Sequence, residues 1–124
     1  MSLYYLAFTE KGTNLARAMA RHTGGEVFRS GKPLTAAQWT DRHFQKGNVL
    51  VFIGACGIAV RSIAPHIKDK TSDPAVLVAD EAGQYVIPIL SGHLGCSNDW
   101  ARILAEKIGA VPVLTTATDV RGVF

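Results

Sequence analysis

The chain has few of the features that would tie it to a membrane, a metal or a disulfide framework. Its two cysteines, Cys56 and Cys96, lie far apart and lack Cys-x-x-Cys spacing, so neither a disulfide scaffold nor a zinc site is predicted. We expect both thiols to be reduced and buried. No apolar run approaches the roughly 20 residues that span a bilayer, and the start lacks a secretory signal pattern. These absences predict a cytoplasmic protein with no membrane partner.

Charged residues (19%) and aromatic residues (8%) are also scarce, whereas 48% of the 124 residues are hydrophobic, which suffices for one core. Thirteen Lys+Arg against ten Asp+Glu leave a net charge of +3, a mild preference for anionic partners. Basic residues are not interleaved with exposed aromatics, so no nucleic-acid partner is expected. His22, His43 and His66 lack metal-ligand spacing, so no metal site is predicted.

Apolar runs typical of strands alternate with segments of helical periodicity, and Ser97 or Asn98 is the predicted cap of the last helix. The Asp80–Gln84 connection is too short for a helical crossover, so the strands on either side should form an antiparallel hairpin. We therefore predict that residues 1–124 form a single α/β domain. Its fold should be a three-layer α/β/α sandwich with a mostly parallel, mixed sheet containing one β-hairpin. The predicted strands are Leu3–Phe8, Glu26–Phe28, Val49–Ile53, Ala75–Ala79, Tyr85–Leu90 and Val111–Leu114.

Two predicted strands, ending at Ile53 and Leu90, each open into a glycine-rich turn that leads to a helix. Such turns present free backbone N–H groups and the positive end of a helix, and we expect both at one edge of the sheet, where anions bind. The first turn, Gly54–Gly57, is not G-x-G-x-x-G and lacks the Lys and Ser/Thr of a P-loop, so a dinucleotide site is not indicated. The alternative is that these glycines only permit tight turns.

Titratable side chains follow the same strands. His93 lies between two glycines beside Ser91, where an imidazole can accept a proton from water near neutral pH; the alternative is that it hydrogen-bonds the turn. Asp80 and Glu81 are paired carboxylates that can divide acid and base work, although adjacent carboxylates in a turn are more often solvated. The Ser91-Gly92-His93 segment is not the G-x-S-x-G elbow of hydrolases, so a serine nucleophile is not expected.

Four ordered blocks carry a family resemblance at matching spacing: Gly54–Pro65, Lys68–Val76, Asp80–Gly83 and Ile87–His93. They resemble the cobalamin-biosynthesis protein family called CbiG. The resemblance runs from Leu3 to Phe124 and covers the N-terminal part of that family's usual length. One departure is Cys96-Ser97-Asn98, where the family typically has Gly-Ala-Asn.

The resemblance implies cobalt-precorrin-5A hydrolase activity in anaerobic cobalamin synthesis. In that family, water opens a δ-lactone that joins ring A to C20, and C20 leaves with its methyl group as acetaldehyde. The implied partners are a cobalt-containing tetrapyrrole and the remaining domains of a longer enzyme. Cobalt belongs to the substrate, so no cofactor and no protein-bound metal are expected.

Residue roles are hypotheses from this chemistry. We expect His93 to act as general base, with Glu81 or Asp80 orienting or protonating, and Arg61 and Lys70 to hold peripheral carboxylates. Backbone N–H groups of the two glycine turns should stabilise the oxyanion. The alternatives are a tetrapyrrole-binding or docking domain completed by another domain, and a flavodoxin-like nucleotide or phosphate binder. The predicted substrate-binding residues are Gly54, Ala55, Cys56, Gly57, Arg61, Lys70, Ser91, Gly92 and Gly95.

Overall fold

The computed structural model describes residues 2–91 and 96–116. Strands and helices alternate as predicted, with most boundaries within two residues of those expected. None of the helices in these two stretches is long and apolar enough to cross a bilayer. The elements in chain order are β1 (Leu3–Ala7), α1 (Glu10–Thr23), β2 (Glu26–Arg29), α2 (Ala36–His43), β3 (Val49–Ile53), α3 (Cys56–Ile63), β4 (Ala75–Ala79), β5 (Tyr85–Leu90), α4 (Ser97–Ile108) and β6 (Val111–Pro112).

The sheet consists of two blocks of strands that run in opposite directions. Its order is β2-β1-β3-β4-β5-β6, and β1 to β4 are mutually parallel. The predicted hairpin is confirmed, because β5 is antiparallel to β4; β6 is parallel to β5. Strands β1 to β4 therefore end at one edge of the sheet, followed by Phe8, Ser30, Gly54 and Asp80, which we call the upper edge. Strands β5 and β6 end at the opposite, lower edge, followed by Ser91 and Val113.

Two apolar cores, one on each face of the sheet, produce three layers. Side chains alternate between the faces along each strand: Tyr5 packs with α1 and α4, whereas the adjacent Leu6 packs with Trp39 of α2 and Ala59 of α3. Every residue of β3 and β4 is buried. These strands read as continuous apolar runs because helices cover both faces. The predicted α/β/α sandwich with a mixed sheet is confirmed.

The first helix, α1, begins with a side-chain cap, whereas the last helix, α4, lacks the side-chain cap that the sequence predicted. The Thr9 hydroxyl caps α1 by accepting a hydrogen bond from the Gly12 N–H at 3.0 Å. The predicted cap of α4 is wrong, because Cys96 occupies the cap position with φ 66°, and Ser97 and Asn98 are buried inside the helix. A side chain that is buried beneath the first turn is not placed to cap it.

The two thiols also differ from expectation. Cys56 is the first residue of α3 and Cys96 is the cap of α4, and both are exposed. Residues at helix starts next to loops keep contact with solvent, whereas the prediction treated each thiol as an ordinary core residue.

His43, at the end of α2, is a buried titratable group in the core beneath α2. Its ring stacks on Tyr4 with centroids 4.0 Å apart, and its buried Nε2 has no hydrogen-bond partner among the described residues. Burial lowers the pKa of His43, the positive charge of Arg42 lowers it further, and Glu26 partly opposes both. The folded protein therefore keeps this imidazole neutral at pH values below the usual histidine pKa.

We expect the free energy of unfolding to fall as the pH drops from 7.5 to 5.5. Above the unfolded pKa of about 6.5, both states carry a neutral His43; below it, the unfolded chain binds the proton first, so protonation favours unfolding. Urea unfolding at both pH values measures the loss. In His43→Phe, which keeps an aromatic ring against Tyr4 and cannot titrate, the loss should be smaller; an unchanged pH dependence would contradict this role.

Candidate functional site

The centre of the upper edge is built by a tight connection between β3 and α3. The Gly54 N–H donates to the carbonyl of Ala79 at 2.8 Å, which joins the ends of β3 and β4. Gly54 has φ +157°, and a Cβ at this position would lie 3.4 Å from the Phe8 ring. Because L side chains rarely adopt this backbone conformation, the turn itself accounts for this glycine.

The N-terminus of α3 presents its first backbone N–H groups at the upper edge. Its cap residue, Ala55, provides no side-chain hydrogen bond, and the first turn contains no acidic residue. Ile58 and Ala59 donate to the Ala55 carbonyl, but no acceptor for the N–H groups of Cys56 and Gly57 occurs among the described residues. Uncapped N–H groups at the positive end of a helix favour binding of an anion or a developing oxyanion.

Gly57 differs from Gly54 because no feature of the fold requires a glycine there. Its φ lies outside the left-handed region, and a Cβ would meet no atom within 4 Å. The interpretation that these glycines only permit tight turns therefore fits Gly54 and not Gly57. A residue without a side chain at this exposed helix start leaves the backbone open to close approach by a ligand.

Replacing Gly57 by alanine should therefore separate stability from function. We expect Gly57→Ala to raise the free energy of unfolding by about 0.5 kcal/mol, because alanine favours the helix and meets no neighbour. Binding of an anion at the start of α3 should weaken about tenfold as the methyl group blocks the N–H groups. Urea unfolding and titration with a carboxylate anion measure both; a variant that is more stable and binds the anion like the wild type would remove Gly57 from the site.

Glu81 is the carboxylate that the fold brings to the centre of the upper edge. Its Oε2 accepts a hydrogen bond from the Thr9 hydroxyl at 2.5 Å, although the two residues are 72 positions apart. Thr9 follows β1 and Glu81 follows β4, on either side of β3 and its Gly54 turn. Glu81 is half-buried and retains contact with solvent, so a bound ligand can reach its carboxylate.

Asp80 has a different role from its neighbour. Its Oδ1 accepts hydrogen bonds from the N–H groups of Gln84 at 2.9 Å and Tyr85 at 2.7 Å, which closes the hairpin turn. This carboxylate therefore organises the β4–β5 turn. Of the two adjacent carboxylates, Glu81 is the one oriented by another element of the upper edge.

The remaining predicted site residues do not gather at the upper edge. Arg61 is exposed in the last turn of α3, away from its N-terminus, and Lys70 is exposed in the loop before β4, at the lower edge. Ser91 also lies at the lower edge, where its hydroxyl donates to the Asp73 carbonyl at 3.3 Å. His93, Gly92 and Gly95 lie outside the described residues, and their predicted roles stay predictions.

The expectation that the two strand ends before the glycine turns share one edge is wrong. Leu90 pairs with Val76 at the beginning of β4, whereas Gly54 and Glu81 lie at its end. Strand β4 spans about 13 Å between these edges, at roughly 3.3 Å per residue. The predicted hairpin already contained the necessary signal, because a strand that reverses direction must end at the opposite edge.

The lower edge holds polar groups that the sequence did not single out as a cluster. Asn98 of α4 donates to the Thr116 hydroxyl at 3.1 Å, which connects the start of α4 to the segment after β6. Ser97 is fully buried, and its hydroxyl has no partner among the described residues. Residues 2–91 and 96–116 contain no group of three or more His, Cys, Asp or Glu side chains that could hold a metal ion.

Comparison with known proteins gives consistent matches. Residues 38–119, about two thirds of the chain, match the family described as Cobalamin synthesis G N-terminal. A relative from Salmonella typhimurium named cobalt-precorrin-5A hydrolase is 53% identical over 81% of this chain and 27% of its own length. One from Priestia megaterium with the same name is 47% identical over 63% of the chain and 21% of its own length. The chain thus spans about a quarter of these curated relatives.

The fold points to the same family. A crystal structure of a cobalamin biosynthesis protein G homologue from Sulfolobus solfataricus superimposes with a TM-score of 0.76 and 25% identity, over 92% of this chain and 36% of that one. Sequence and fold agree along most of the chain. It therefore belongs to the Cobalamin synthesis G N-terminal family.

Proposed function

We propose that this chain is the N-terminal part of a cobalt-precorrin-5A hydrolase that acts in anaerobic cobalamin biosynthesis in the cytoplasm. The observation that carries this proposal is the high identity to the Salmonella relative of that name along most of the chain. The substrate is a tetrapyrrole that brings its own cobalt, so the protein supplies neither metal nor cofactor. The remaining region of the longer relatives is the expected partner of this domain.

The reaction begins with addition of water to the lactone carbonyl carbon, with loss of a proton from the water to a base. The carbonyl oxygen becomes an oxyanion. The uncapped Cys56 and Gly57 N–H groups at the start of α3 support an oxyanion site there. The ester C–O bond then breaks, leaving a carboxylate on ring A and an oxygen on C20. As that oxygen forms the aldehyde carbonyl, the bond between C20 and the macrocycle breaks and the macrocycle takes up a proton.

Within this proposal, His93 remains the general base and Glu81 is the proton donor or orienting carboxylate. The hydrogen bond from Thr9 supports the assignment of Glu81, because it holds the Glu81 side chain beside the Gly54 turn. Asp80 is the weaker candidate, since its Oδ1 already accepts two backbone hydrogen bonds.

A second candidate is a tetrapyrrole-binding domain whose chemistry another domain completes. The orientation of the sheet favours this alternative, because the turn that leads toward His93 leaves the lower edge while Glu81 lies at the upper edge. To act on one lactone, His93 and Glu81 would then need groups supplied by another region of the longer protein.

Acetaldehyde release from cobalt-precorrin-5A, followed anaerobically with a coupled alcohol dehydrogenase, separates these functions. One arm uses this chain alone, and the other uses a chimera in which it replaces the matching region of the Salmonella relative. Release by the chain alone supports a catalytic domain, and release by the chimera but not by the chain alone supports a binding domain. An inactive chimera that folds normally contradicts both.

A further inference from the structure

A basic cleft outside the residues discussed so far lies beside the upper edge, between α1 and the edge strand β2. It has a volume of about 470 Å³ and is lined by Asn14 and Arg17 of α1, by Val27 and Arg29 of β2, and by Lys32. This volume falls within the range of small-molecule sites, which is roughly 300 to 1,000 Å³. β2 is the edge strand of the sheet formed by residues 2–91 and 96–116, so the cleft opens to solvent.

The fold brings three cations into this cleft from three separate segments. Arg17 lies one turn after Asn14 on the exposed face of α1. Arg29 is the last residue of β2 and pairs with Ala7 of β1. Lys32 is held close by a turn in which its N–H donates to the Arg29 carbonyl at 3.0 Å. Each backbone position is thus set by secondary structure or by a hydrogen-bonded turn.

These cations have no carboxylate partner in the described part of the chain. The ion pair found there joins Arg102 to Asp99 on α4, and no acidic side chain lies within 4 Å of the charged nitrogens of Arg17, Arg29 or Lys32. Glu10 also lines the cleft without pairing with them. Three unpaired cations around one concave surface create a positive potential that attracts anions.

We infer that this cleft binds the carboxylate groups of a polycarboxylate ligand. Arginine holds carboxylates in bidentate fashion, and three cations spread over three segments match negative charges spread along the edge of a large ligand. The identification of the ligand as a tetrapyrrole rests on the proposed function. The cleft adjoins the upper edge, because Glu10 of the cleft directly follows Thr9.

The test uses uroporphyrin, a tetrapyrrole rich in carboxylates, and follows its fluorescence on titration with this chain. Arg17→Gln, Arg29→Gln and Lys32→Gln should each weaken binding about tenfold, the typical effect of losing one charged hydrogen bond. Arg42→Gln is the matched control, because Arg42 is exposed on α2 in the opposite layer and undergoes the same change in charge. Binding by the control should remain at the wild-type level.

Three results would overturn the inference: no binding of uroporphyrin by the wild-type chain, equal binding by the cleft variants and the control, or displacement of the porphyrin by equimolar inorganic phosphate. Acetaldehyde release by the chimera tests the proposed function separately. If the chimera is active and the cleft variants bind like the wild type, only the cleft assignment fails. If the cleft variants bind weakly and the chimera is inactive, the cleft remains a polycarboxylate site and the proposed function fails.

Discussion

Replacing Gly25 by alanine is expected to lower the free energy of unfolding by about 3 kcal/mol. Gly25 precedes β2 with φ +101°, where an L residue is strained. An added Cβ would also lie 2.7 Å from the Leu3 carbonyl oxygen and 3.2 Å from the Leu3 side chain. Because Leu3 belongs to β1, which pairs directly with β2, the clash is relieved only by moving β2 away from β1. Urea or thermal unfolding of the purified variant measures the loss.

Gly109→Ala is the matched control for this prediction. Gly109 caps α4 with φ 72° and ψ 28°, and a Cβ there would meet no atom within 4 Å. This variant therefore experiences only the backbone strain of an L residue in the left-handed conformation, about 1 kcal/mol. Equal losses for the two variants would show that the close approach of Gly25 to Leu3 contributes nothing.

Glu81→Gln is expected to lower acetaldehyde release by the chimera at least a hundredfold, with little change in stability. Glutamine retains an oxygen that accepts the hydrogen bond from Thr9, but it cannot donate the proton of a carboxylic acid. The general contribution of acid–base catalysis is about 10²- to 10⁴-fold, so loss of this group should dominate the rate. The measurement is kcat/KM for release, with the free energy of unfolding determined on the same sample.

Two neighbouring substitutions sharpen this result. Asp80→Asn makes the same change in the adjacent residue and can still accept hydrogen bonds from Gln84 and Tyr85, so its effect on the rate identifies which carboxylate acts. His93→Ala should also reduce release by orders of magnitude if His93 is the base. Near-normal release by Glu81→Gln would leave Glu81 only as the residue that orients the Thr9 cap of α1.

Local patterns in the sequence were sufficient for the elements and the layers. Continuous apolar runs such as Val49–Ile53 predicted strands buried on both faces, and the short Asp80–Gln84 connection predicted the hairpin. These features can be predicted from the sequence because burial, helix periodicity and turn length each depend on a few neighbouring residues. The four ordered blocks likewise indicated the family, which the comparisons confirm.

The composition of the site depended on which distant segments meet, and only the tertiary structure decided that. The reversal of β5 places Leu90 and Glu81 at opposite edges, so the two strand ends that precede the glycine turns lie apart. The contact between Thr9 and Glu81 joins residues from two separate strand ends, and the Arg17, Arg29 and Lys32 cleft joins three segments of unlike type. Such contacts leave no local periodicity, because strand order and direction, rather than the residues beside them, bring their side chains together.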